Sequence, residues 1–308
     1  MLVSFLTVAQ QVAVLFLLIG TGLICGKTGI LRSGAVKCCS DLVMIIVTPS
    51  IIIQSFLRPF DPSMLKGLGL SCLIALLVHV GTILIAHLAL HDPNARRQRV
   101  LRVGTVFSNC GFMSLPLQDA LLGETGVFYG AAYVAVFNLL LWSYGLIEMS
   151  GERKYLSPRK MILNPGVLAI SIGLVLFLGS VSLPEILSAP LGHLAALNTP
   201  LPMLIIGFYL GQTNLRAALR DMRSYAAIAI RLLVVPLLTL GLLLLCGIRD
   251  TLLVSSVISA SAPVAAATTM FAAKFDCDTD LSVNMVSLST LFSIITMPLI
   301  VGLTQVIA

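Results

Sequence analysis

The sequence predicts an all-α integral membrane protein with ten transmembrane helices, arranged as two inverted five-helix repeats with broken, crossing helices 4 and 9. Three observations lead to this prediction. The 308 residues are 58% hydrophobic and only 10% charged, with a mean hydropathy of +1.03, whereas soluble domains carry about 25% charged residues. Charged and turn residues divide the chain into ten apolar segments, and landmark residues recur in its two halves. This composition excludes a soluble enzyme, a secreted disulfide scaffold and a disordered chain.

The apolar segments have lengths close to the roughly 20 residues that cross a bilayer. They cover residues 3–25, 36–57, 64–90, 100–121, 126–149, 164–182, 187–211, 224–247, 251–273 and 281–306. The first segment is expected to be a retained span, because no charge precedes it as it would in a signal peptide. We therefore assign residues 1–150 to the first repeat, 151–163 to a cytoplasmic connecting loop and 164–308 to the second repeat.

The positive charges predict the orientation. Of the 19 Lys and Arg residues, 15 lie in odd-numbered loops, three in even-numbered loops and one, Arg231, inside a span. Positively charged loops stay in the cytoplasm, so we expect a multi-pass protein of the plasma (cell inner) membrane with both termini outside the cytoplasm. The net charge of +6 is then an orientation signal, and no nucleic-acid partner is expected.

Proline landmarks indicate the internal repeat. Thr48-Pro49 recurs as Thr199-Pro200 after 151 residues, and Pro116 recurs as Pro263 after 147 residues. An odd number of spans per repeat inverts the second copy, which is typical of secondary transporters. Half-helices starting after Pro116 and Pro263 would present free N–H groups and a positive dipole end. Two such ends would form an anion site without a buried Lys or Arg, and a pair of ordinary proline kinks is the alternative.

Four stretches carry a resemblance to a known family. They are residues 107–117 (FSNCGFMSLPL), 262–272 (APVAAATTMFA), 20–31 (GTGLICGKTGIL) and Asn164-Pro165. Together they resemble the auxin efflux carrier family, in its short, malate/malonate permease-like branch. The resemblance implies a permease that moves small organic anions by alternating access, with its site at the crossing of helices 4 and 9. It implies that Asn109 holds the substrate carboxylate, and that Pro116 and Pro263 mark the crossing.

The candidate residues follow from the breaks and from polar residues inside spans. We expect substrate-binding residues at Thr48, Asn109, Cys110, Gly111, Pro116, Thr199, Ser259, Ser261 and Pro263. Candidates for coupling or gating are Asp41, His79, Asn138, Arg231 and Asn284. Arg231 is either a functional intramembrane charge or a side chain that snorkels to the interface, and Asp41 is its partner or an interfacial residue. His79 either carries a proton or is a neutral, hydrogen-bonded histidine.

The same residues argue against other functions. No span carries two acids and no Ser–His pair stands out, so an intramembrane enzyme is not expected. The third segment lacks the acidic residue that auxin carriers bear there, which leaves H⁺ or Na⁺ open as the coupling ion. A sodium-coupled carrier of the bile-acid symporter type and a membrane sensor are the alternatives. We expect no cofactor and no metal, since the seven cysteines lack ligand spacing. The expected partners are an organic anion and the bilayer, and a homodimer is left open.

Overall fold

The computed structural model describes residues 2–155, 159, 162–213 and 215–308, and these are mainly helical. The helices are α1 (Leu2–Lys27), α2 (Ser33–Phe56), α3 (Pro62–Ala89), α4 (Ala95–Val106), α5 (Cys110–Ser150), α6 (Pro165–Leu178), α7 (Glu185–Ala196), α8 (Pro200–Gln212), α9 (Leu215–Arg220), α10 (Ser224–Leu245), α11 (Asp250–Ser261), α12 (Ala267–Lys274) and α13 (Thr279–Ile307). Of the connecting loop predicted at 151–163, residues 156–158, 160 and 161 lie outside the described residues.

The described helices are those of an integral membrane protein. Seven helical segments are long and apolar enough to cross a bilayer, namely α1, α2, α3, α5, the α7–α8 segment, α10 and α13. Two shorter helices, α6 and α11, are also apolar. Large hydrophobic side chains such as Leu17, Leu88 and Leu245 are 72%, 80% and 86% exposed, which suits a surface in contact with lipid. The predicted all-helical membrane class is confirmed.

The chain reverses direction inside α5. At 41 residues, α5 exceeds the roughly 20 residues of one span. Gly123 has φ 60° and ψ −156°, a conformation that is open essentially only to glycine. Beyond it, Gly130 lies against Gln118, because a Cβ at residue 130 would be 1.9 Å from the Gln118 Oε1. The two parts of α5 therefore pack side by side as a hairpin.

Three of the prolines within helices lie two residues after a π-helical turn. The turns are Val43–Val47, Cys110–Ser114 and Ile230–Val234, and the prolines are Pro49, Pro116 and Pro236. Proline lacks an N–H and its ring clashes with the preceding helical turn. A π-bulge changes the local hydrogen-bond pattern, so the helix continues through the proline. The regular α-helix begins at Leu115, one residue before Pro116 and close to the half-helix start predicted there.

The helices pack as two groups. In the first group, α1 packs on α8, and α2 packs on α6 and α7. In the second group, α3 packs on α5, and α11 packs on α5, α10 and α13. The largest contact between the groups joins α1 to α13. α1 and α8 approach to backbone contact, since a Cβ at Gly207 would be 1.9 Å from the Ile19 carbonyl oxygen. Glycines commonly provide this close approach in membrane helices.

Candidate functional site

The two interrupted helices meet in the middle of the bundle. The chain is extended between α4 and α5 and again between α11 and α12, and the two extended segments pair antiparallel at Ser108 and Val264. The Asn109 N–H donates to the Pro263 carbonyl at 2.7 Å, and the Ala265 N–H donates to the Phe107 carbonyl at 2.9 Å. The backbone groups that the breaks release are thus partly satisfied by each other, as a bilayer interior requires.

The break in the second half lies at Pro263, as the sequence predicts, whereas the first break lies at residues 107–109. Pro116 is buried inside α5, seven residues after Asn109. Asn109 and Pro263 come together through their backbones, and Cys110 follows as the first residue of α5. The crossing itself is therefore formed by the predicted segments, but Pro116 does not mark it.

Free space borders the crossing at Gly111. A Cβ built on this glycine would meet no atom within 4 Å, although the neighbouring Cys110 is buried. Asn109 keeps 7% of its surface exposed, whereas Ser108 is fully buried. The residues predicted to touch substrate, Asn109 and Gly111, therefore lie on the more open side of the crossing.

Arg231 also lies at the crossing. Its guanidinium is fully buried and donates from Nη1 to the carbonyls of Thr105 (3.2 Å) and Val106 (3.1 Å), and from Nη2 to the carbonyl of Ala260. Because these carbonyls lie inside the bundle, the Arg231 side chain does not snorkel to the membrane interface. Asp41 is exposed on α2, so it is not the partner of Arg231. A buried arginine therefore lies beside the crossing, in addition to the half-helix ends from which the sequence predicted an anion site.

Three further polar side chains surround the Arg231 guanidinium. His79 stacks near Tyr133, with ring centroids 5.1 Å apart, and its Nδ1 lies 2.7 Å from the Ala75 carbonyl oxygen. Within the described part of the chain, four buried atoms here have no partner at hydrogen-bonding geometry: the His79 Nε2, the Tyr133 hydroxyl, the Ser108 hydroxyl and the Arg231 Nε. Unsatisfied polar groups are costly at membrane depth. Sequence reasoning missed Tyr133 and Ser108, although Ser108 lies within the quoted motif.

The paired Thr-Pro landmarks also meet. The Thr48 hydroxyl donates to the Asn198 Oδ1 at 3.4 Å, and both side chains are buried. Thr199 follows directly and is half-buried at the start of α8. Thr48 thus lies beside the residue that precedes Thr199, where α2 approaches the α7–α8 connection.

Ser259 and Ser261 are engaged inside the protein. The Gln118 Nε2 donates to the Ser259 hydroxyl at 2.8 Å, and the Ser255 hydroxyl donates to the Gln118 Oε1 at 3.1 Å. The Ser261 hydroxyl donates to the Val257 carbonyl at 2.7 Å. Sequence reasoning missed Gln118; an uncharged polar residue in the middle of an apolar segment was the available signal.

The remaining gating candidates lie apart from the crossing. The Asn138 Nδ2 donates to the Val134 carbonyl of its own helix at 2.9 Å. Asn284 is half-buried near the start of α13. Neither residue is joined to the Asn109–Pro263 pair by a hydrogen bond among the described residues.

A cavity of about 180 Å³ lies between the two helix groups. Its polar walls are Gln54 and Ser55 of α2 with Asp119 and Glu124 of α5. Three apolar lining residues, Ile51, Val127 and Ala195, share one packed cluster with Cys110. The cavity therefore lies beside the end of α2, and part of its wall belongs to the same packed cluster as Cys110.

Two broken helices that cross inside a bundle of membrane helices are typical of membrane transporters. The comparison with known proteins gives the family. The chain belongs to the membrane transport protein family, the auxin efflux carrier family, whose sequence profile matches residues 7–159 and 154–301. The predicted family is confirmed.

A curated relative agrees with this class. The chain is 25% identical over 300 residues to an uncharacterized transporter of Methanothermobacter thermautotrophicus, an alignment that covers 96% of this chain and 98% of the relative. Both the family and the relative are described as transporters and not as enzymes.

Proposed function

We propose that this protein is a secondary active transporter of small organic anions, which moves carboxylates across the plasma membrane by alternating access. The observation that carries the proposal is the crossing of two interrupted helices beside a buried arginine. Half-helix N-termini and a guanidinium both favour negative charge. Within the described residues no acidic side chain forms an ion pair with Arg231, so its positive charge at membrane depth is available to attract an anion.

Ten spans in two inverted repeats are the proposed architecture. The hairpin at Gly123 divides α5 into two spans, and α4 and α12 complete the interrupted fourth and ninth spans. A further landmark pair supports the repeat: His79 and Arg231, 152 residues apart, are both buried beside the crossing. The two helix groups are the bodies that would rock against each other, with both termini outside the cytoplasm. The proposed coupling ion is H⁺ or Na⁺, and the proposed assembly is a homodimer.

The substrate would contact the open side of the crossing. Asn109 and Gly111 lie there, and the Asn109 carboxamide can donate to a carboxylate. A hydrogen bond to a charged group is worth about 1.5–3 kcal/mol, which corresponds to roughly a tenfold to hundredfold change in affinity. We therefore expect Asn109→Ala to reduce uptake of a radiolabelled dicarboxylate into proteoliposomes by at least about tenfold.

Ser171→Ala is the matched control, because this exposed serine donates only to its own helix at Val167. It should retain the uptake of the unmodified protein. Both variants should be monodisperse in detergent and melt at similar temperatures. Normal uptake by Asn109→Ala would overturn the assignment of Asn109. The absence of uptake of any mono- or dicarboxylate by the unmodified protein, with either ion gradient, would overturn the transport proposal.

A further inference from the structure

The contacts of Arg231 connect the two interrupted helices. Thr105 and Val106 are the last residues of α4, and Ala260 is the residue before the end of α11. The last carbonyls of a helix have no partner within it and carry the negative end of the dipole. The guanidinium of Arg231 therefore binds the negative ends of both half-helices at once.

Carbonyl oxygens of this kind are typical cation ligands. In secondary transporters, half-helix C-termini and unwound backbone carbonyls coordinate the coupling Na⁺. In this protein three such oxygens converge on one guanidinium. Because an arginine keeps its charge in proteins, these oxygens have a permanent cation that does not leave during the transport cycle.

Among the residues that the structure describes, none near Arg231 provides a carboxylate as counter-charge. Tyr133, Cys110 and His79 are close enough to interact electrostatically with the guanidinium, and none of them is an acid. A carboxylate beside Arg231 would form an ion pair with the guanidinium. The carbonyl oxygens of the two half-helices would then face a neutral pair instead of a positive charge. The arrangement instead keeps one positive charge at the crossing.

We propose that Arg231 is a tethered cation that takes the place of a coupling Na⁺ at the helix crossing, so that substrate transport does not require Na⁺. This proposal rests on the transport function proposed above and specifies its coupling. It makes Arg231 a positioning residue: the guanidinium holds the half-helices of α4 and α11 together while Asn109 binds the substrate.

The test compares the unmodified protein with Arg231→Ala and Arg231→Lys in proteoliposomes, in NaCl and in choline chloride of equal ionic strength. The unmodified protein and Arg231→Lys should take up substrate equally in both salts. Arg231→Ala should lose uptake in choline chloride. NaCl, or a few millimolar guanidinium chloride, should restore it at least about fivefold, the lower end of typical coupling between two bound ligands.

Arg249→Ala is the matched control. Arg249 also donates to a carbonyl at a helix end, that of Ile307 at 3.0 Å, but in an exposed position. Its removal leaves no buried site for a cation, so uptake by Arg249→Ala should be the same in both salts.

Thermal unfolding in detergent provides a readout that does not depend on transport. A cation that binds only the folded state raises the melting temperature. Na⁺ or guanidinium should raise that of Arg231→Ala, and neither should raise that of the unmodified protein or of Arg249→Ala. A requirement of the unmodified protein for Na⁺ would overturn the proposal. So would a folded Arg231→Ala variant that responds to neither cation. If the unmodified protein carries no organic anion, the transport function fails, and the melting experiment still decides the role of Arg231.

Discussion

At the residue scale, the buried polar side chains Arg231 and Gln118 are stabilised by hydrogen bonds to uncharged groups and not, among the described residues, by ion pairs. An arginine in the middle of a span costs about 2.5–3.5 kcal/mol on insertion scales. Arg231 is fully buried, and three carbonyls released by the helix breaks offset this cost. The residue type was visible in the sequence, but its partners lie about 125 positions away in α4 and 29 positions away in α11.

Gln118 provides a second case and a prediction. Its carboxamide joins α5 to Ser255 and Ser259 of α11. Gln118→Ala would leave buried hydroxyl groups without this partner, which costs about 1–3 kcal/mol. We therefore expect a lower melting temperature in detergent for Gln118→Ala. Gln10→Ala is the control, since Gln10 is exposed on α1. Equal melting temperatures for the two variants would show that the Gln118 network does not stabilise the bundle.

At the element scale, close helix contacts and controlled interruptions organise the bundle. The π-helical turns let α2, α5 and α10 continue through their prolines. The interruptions of the fourth and ninth spans occur where two extended segments can pair with each other. The first interruption lies at residues 107–109, before Pro116, because a helix with a π-bulge tolerates proline.

The contact between α1 and α8 gives the prediction at this scale. An alanine Cβ at Gly207 would collide with the backbone of Ile19 and Leu23, and overpacking of this kind typically costs about 1–3 kcal/mol. Gly20 lies on the same α1, and a Cβ there meets no atom within 4 Å. We expect Gly207→Ala to lower the melting temperature and Gly20→Ala to leave it unchanged or raise it. A Gly207→Ala protein as stable as Gly20→Ala would contradict the close packing.

At the scale of the whole molecule, orientation across the membrane is a property that cysteine labelling can test. Cys246 is exposed at the end of α10, and Cys38 is exposed near the start of α2. The distribution of Lys and Arg places Cys246 outside and Cys38 in the cytoplasm. In variants that keep one cysteine each, an impermeant maleimide should label Cys246 in intact cells and Cys38 only after permeabilisation.

Cys277 is the control for this labelling. It lies in the loop between α12 and α13, and burial raises the pKa of its thiol. Since the thiolate is the reactive form, Cys277 should react slowly at neutral pH before and after permeabilisation, and faster as the pH rises. Labelling of Cys38 in intact cells would reverse the predicted orientation, and labelling of both Cys38 and Cys246 there would contradict the number of spans between them.

The sequence by itself determined the membrane class, the positions of the apolar helices and the family. These properties are local: every helix in lipid must satisfy its own backbone hydrogen bonds, so composition along the chain is enough to locate it. The tertiary structure alone decided that the first interruption pairs with the second at Ser108 and Val264, that Gln118 binds Ser259, and that Arg231 binds the ends of α4 and α11. These features depend on contacts between residues that are far apart in the chain. A polar residue inside a span needs partners, and only the packed bundle specifies which groups come within reach.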